Sequence, residues 1–67
     1  MKGVSYYYAE FQRALDAVDI RMGEEFKAFS STHSPKNVFL WLEEHRIRAQ
    51  LPASMESLLT DFYWEIA

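Results

Sequence analysis

The chain has no cysteine. That absence excludes disulfides, thiolate-bound zinc and a cysteine nucleophile together. Glycine occurs only at Gly3 and Gly23, so there is no glycine-rich loop to cradle a phosphate. Proline is as scarce, at Pro35 and Pro52. The longest uninterrupted apolar run, Val38 to Leu42, falls far short of the roughly 20 residues that cross a bilayer. No secretory-type apolar stretch follows Lys2, and a cytoplasmic location with no membrane contact is expected. Residues 51–67 carry Glu56, Asp61 and Glu65 but no lysine or arginine. The formal charge is −3. Phosphate recognition needs a dense basic face, so no direct nucleic-acid binding is expected.

Sixty-seven residues make one domain. A chain of this size hides only roughly 60% of the surface its unfolded form exposes. Disulfides, metals and oligomerisation are the usual supports for so small a core. Without cysteine, and with only two histidines, the remaining support is oligomerisation or docking on another protein.

What the chain does have is aromatic residues: five phenylalanines, four tyrosines and two tryptophans. Each buries roughly 150–250 Å² when enclosed. A core this small does not hide them all, which points to a surface for a partner.

Tyr8, Phe11, Leu15, Val18 and Met22 recur in steps of three and four, and Phe26 and Phe29 continue the stripe. That spacing places them along one face of a helix, whereas a strand would divide them between two faces. Ser5 is the expected N-cap. The phase holds across Gly23, so the reading is one long helix over residues 5–29, with a break at Gly23 as the alternative.

Residues 30–34 (SSTHS) read as a loop. Ser34 as N-cap and Pro35 as first helical residue then start a second helix of about 35–50. The residue before a proline avoids helical geometry, so Leu51-Pro52 ends it. A third helix is expected over 54–66, capped by Ser54, with Met55, Leu58, Leu59, Phe62 and Ile66 on one face. The expected fold is all-α: a small three-helix bundle in a single domain of residues 1–67.

The chemical motifs are thin. Glu43, Glu44 and His45 are adjacent in sequence, but on a helix neighbours point about 100° apart and do not converge. No second histidine lies four residues from His45, so the zinc-protease arrangement is missing. The serines lie at caps and in a polar linker, without a base and an orienting acid. No catalytic residue, cofactor or metal is expected.

Two short resemblances accompany this pattern. Val38-Phe39, His45-Arg46 and Leu51 resemble the third helix of the Hha family of nucleoid-protein modulators, with different spacing and flanks. The order of a tyrosine-rich start, Ser34-Pro35-Lys36 and Leu40–Glu43 is similar to small helical proteins of the YozE type. Each covers a handful of residues and transfers no site. Both imply action through other proteins.

The expected function is therefore that of a small helical module that binds another protein as its regulator or inhibitor. A compact acidic chain of this kind suits a phage or plasmid accessory protein. Tyr6, Tyr7, Trp41 and Trp64 are the expected contact residues, because tyrosine and tryptophan offer large rigid contact area. Arg46 and Arg48 would fix orientation, or meet the acidic third helix. Two other readings stand beside this one. The first is a homodimer paired along the long first helix. The second is an accessory modulator of a nucleic-acid-binding protein, using the Arg46/Arg48 edge.

Overall fold

The computed structural model describes residues 2–67. They form four helices: α1 (Val4–Val18), α2 (Ile20–Ser30), α3 (Pro35–Ala49) and α4 (Ala53–Ile66). No strand occurs among the described residues. The all-α expectation holds, but the three-helix bundle does not. The long helix expected over 5–29 is two helices.

The break falls at Asp19, not at Gly23. Asp19 has an extended backbone (φ −160°, ψ 118°) and its Oδ1 accepts from the Arg21 N–H at 3.0 Å. An aspartate outside the helix meets one of the unpaired amides of the first turn, the standard role of an N-cap. The interruption is one residue long, so Met22, Phe26 and Phe29 stay in phase with the stripe before it. Periodicity alone does not register such a break. An unbroken helix over 5–29 would extend about 38 Å at 1.5 Å per residue, beyond the 28 Å longest dimension of the fold.

Folding back at Asp19 lets α2 cover α1. Tyr8 meets the Phe26 ring at 5.8 Å, and Phe11 meets it at 6.1 Å. Gly23 lies under this crossing, where a β-carbon would overlap the Asp16 carboxylate. Its carbonyl accepts from Gln12 Nε2 at 2.7 Å. Gly23 is thus the contact point of the hairpin rather than its hinge.

The expected start of α3 is observed. Pro35 stands in the first turn and Ser34 Oγ accepts from the Asn37 N–H. At its far end Gln50 adopts left-handed geometry (φ 53°, ψ 53°), and the Leu51 N–H reaches the Arg46 carbonyl at 3.1 Å. The other two expected caps are displaced. Ser5 lies inside α1, which starts after Gly3 at φ 82°, a region glycine enters freely. Ser54 lies inside α4, which starts after the extended Pro52 with no side-chain cap.

The core joins all four helices: Tyr7, Phe11, Leu15, Phe26, Val38, Leu42, Met55, Leu59 and Phe62. Phe62 sits at its centre, against Tyr7 at 5.5 Å, Tyr8 at 5.9 Å and Phe11 at 5.4 Å. α4 lies antiparallel to α1. Glu65 near its end accepts from the Lys2 and Gly3 amides, and Ser54 and Met55 at its start lie beside Ala14 and Ala17.

Candidate functional site

The six residues expected to contact a partner are not brought together. Tyr7 is corrected outright: it is 7% exposed and belongs to the core. The sequence stripe began at Tyr8, but α1 is covered from two sides. Tyr7, Phe11 and Leu15, four residues apart, are all buried, with Tyr7 and Phe11 packed on Phe62 of α4. Tyr8 takes the flank towards Phe26 of α2.

Trp41 is half-buried in a stack. Its ring lies 3.8 Å from His45 and 5.8 Å from Phe29, and its carbonyl is 2.8 Å from His45 Nδ1. Phe29 in turn stacks on His33 at 3.7 Å. Both histidines are therefore aromatic neighbours on the α2–α3 side. Among the described residues no three histidine, aspartate or glutamate side chains gather as metal ligands.

Arg46 and Arg48 are engaged within the chain. Arg46 lies 3.6 Å from Glu43 and 4.0 Å from Glu56. The second contact is the expected meeting with the acidic last helix. Arg48 instead pairs with Glu44, one turn back on its own helix. Exposed pairs of this kind contribute only tenths of a kcal/mol, so Arg48 can exchange its partner at little cost.

Tyr6 is 38% exposed, with Lys2 Nζ 4.8 Å over its ring. Trp64, at 72%, is the most exposed large apolar residue among the described residues. It stands on the outer side of α4, because Met55, Leu59 and Phe62 take the inner side. Its ring meets Tyr63 edge-on at 5.3 Å.

Tyr63 leads to a surface that sequence reading passed over. Between α3 and α4 runs a groove of roughly 340 Å³, lined by Lys36, Phe39, Leu40, Tyr63, Ile66 and Ala67. Phe39 and Tyr63 line it with rings 5.4 Å apart. Leu40 is open on its rim. Trp64, next to Tyr63 and 72% exposed, extends this surface outward along α4. A signal for Leu40 existed. On α3 the buried Val38 and Leu42 define the inner side, and Leu40 sits about 200° from Val38.

A larger and more open groove of roughly 450 Å³ between α1 and α4 is lined by Ala14, Ala17, Leu58 and the charged Glu10 and Arg13, which pair at 3.4 Å. No described helix is long and apolar enough to cross a membrane.

Comparison with protein-family models, with curated proteins and with solved structures finds no match to this chain.

Proposed function

We propose that the protein is a helical protein-binding module that acts as a regulator or inhibitor of another protein, and that it binds through the outer side of α3 and α4. The observation that carries this reading is Trp64, 72% exposed beside Tyr63 and an open apolar groove. The fold has an enclosed core of nine residues and does not need these rings for it. Exposed aromatics clustered around a cleft are the usual anchors of protein interfaces.

The homodimer reading built on the long first helix loses its premise. Phe11, Leu15 and Phe26 of that stripe are buried inside one chain. The nucleic-acid accessory reading draws no support from Arg46 and Arg48, which lie against Glu43, Glu56 and Glu44. An origin in a phage or plasmid would suit a regulator of this size.

The test compares proteins captured from a host lysate by the native chain and by Trp64→Ala. A partner retained by the first and lost with the second supports the proposal. Identical capture by both, with both folded by circular dichroism, overturns it.

A further inference from the structure

We infer that the α3–α4 face binds a second copy of this chain, in a two-fold dimer where Trp64 of each copy enters the groove of the other. The inference rests on the protein-binding reading above and names one occupant for that surface.

A two-fold interface uses one patch on both subunits, so the patch must carry both a projection and a recess. This face carries both. Trp64 projects from α4, and the groove between Phe39, Leu40, Tyr63 and Ile66 opens beside it. The other apolar groove lacks a projecting ring of this exposure: Tyr6, on its wall, is 38% exposed against 72% for Trp64.

Charge points the same way. Lys36 lines the groove, and a lysine beside an aromatic site attracts an incoming indole face. Asp61 lies three residues before Trp64, hence one turn away on the outer surface of α4. Neither Lys36 nor Asp61 takes part in an ion pair among the described residues. A Trp64 seated in the partner groove would bring its Asp61 towards the partner Lys36, and the two-fold would repeat that pair. One acid, Asp61, and one base, Lys36, both outside the ion pairs of the fold, give the patch its self-complementarity.

The area sets the strength. Trp64, Tyr63 and Leu40, exposed at 72%, 45% and 56%, leave on the order of 400 Å² open. A standard interface buries about 800 Å² per partner. The dimer is therefore weak, with a dissociation constant above about 1 µM.

Sedimentation equilibrium of the full chain up to about 1 mM tests this, with circular dichroism to confirm that each variant is folded. The expected result is reversible dimerisation, weakened roughly tenfold or more by Trp64→Ala. Lys36→Glu and Asp61→Lys should each weaken it, and the double variant should recover most of the loss. A monomer at every concentration overturns the inference, as does a dimer that Trp64→Ala leaves unchanged or a double variant without recovery. A monomer that still loses a captured partner on Trp64→Ala overturns the second copy as occupant and leaves the protein-binding reading standing. Loss of neither self-association nor capture on Trp64→Ala defeats both.

Discussion

Gln12 reaches across from α1 and donates its side-chain amide to the main-chain carbonyl of Gly23 on α2 at 2.7 Å. The same amide lies 3.1 Å from Asp16 Oδ1. This contact ties the first two helices together at Gly23, where there is no room for a large side chain. Gln12→Ala should cost about 1 kcal/mol, since it removes the side-chain hydrogen bond that links the two helices. Urea unfolding would show this as a lowered midpoint at unchanged slope.

Gly23→Ala has two opposed effects. The added methyl overlaps the Asp16 carboxylate and crowds Gln12 Nε2 at 2.9 Å, both far ends of side chains that can swing away. Alanine meanwhile favours a helix over glycine by about 1 kcal/mol. The two nearly cancel, so the melting temperature should move by only a few degrees. Gly23→Leu has no such escape. It should separate α1 from α2 and lower the melting temperature by well over 10 °C, at about 4–8 °C per kcal/mol for a chain of this size.

Asp19→Ala removes the side-chain acceptor at the start of α2. The expected loss is about 1 kcal/mol. Asp19→Asn and Asp19→Ser should retain most of the stability, and thermal melts of the three variants would rank them. Equal melts for all three would mean that the cap contributes nothing.

Gln50 holds left-handed geometry at the end of α3 with no glycine to ease it. Gln50→Gly should raise stability by about 0.5–1 kcal/mol, because residues with a β-carbon pay to enter that region. A fall in the urea midpoint would contradict this.

Tyr7 and Trp64 separate core from surface. Tyr7→Ala should cost about 3–5 kcal/mol, comparable to the whole stability of so small a domain. Trp64→Ala should change stability by less than about 0.5 kcal/mol. Chemical unfolding of the two variants decides the contrast, and equal losses would contradict the placement of one of them.

Burial raises the Tyr7 phenol above the ordinary value near 10, with Glu65 and Asp61 adding to the shift. Burial raises Tyr8 as well. The neutral phenols are thus favoured in the folded chain, and the unfolded chain loses these protons first as pH rises. Their contribution is complete below the unfolded value and is lost as pH climbs through the folded values. Stability should fall above about pH 10, and ultraviolet titration should show part of the tyrosine absorbance change delayed. A single unshifted tyrosine transition would argue against the burial of both rings.

Local signals in the chain reached particular elements. Ser34-Pro35 announced α3, because a proline at a first turn forfeits no hydrogen bond. Leu51-Pro52 announced its end. The run Met55, Leu59 and Phe62 announced the inner face of α4. Asp19 was not recognised, because one extended residue leaves the three-four spacing on either side almost in phase. Tyr7 was misplaced for a related reason. A stripe describes a helix covered from one direction, and α1 is covered from two. The candidate surface was legible only in part: Trp64 lies outside the expected apolar face of the last helix, while the opening of Leu40 depends on which side of α3 the core takes.

The order of apolar and polar residues, by itself, determined that this chain is helical and where two of its turns lie, since those outcomes depend on neighbours within a few residues. Only the tertiary structure decided that the first third folds back on itself, that Tyr7 is enclosed while Trp64 is not, and that α3 and α4 share an open groove. Those outcomes depend on which helix covers which, and that is set by competition among faces distant in sequence for one small core.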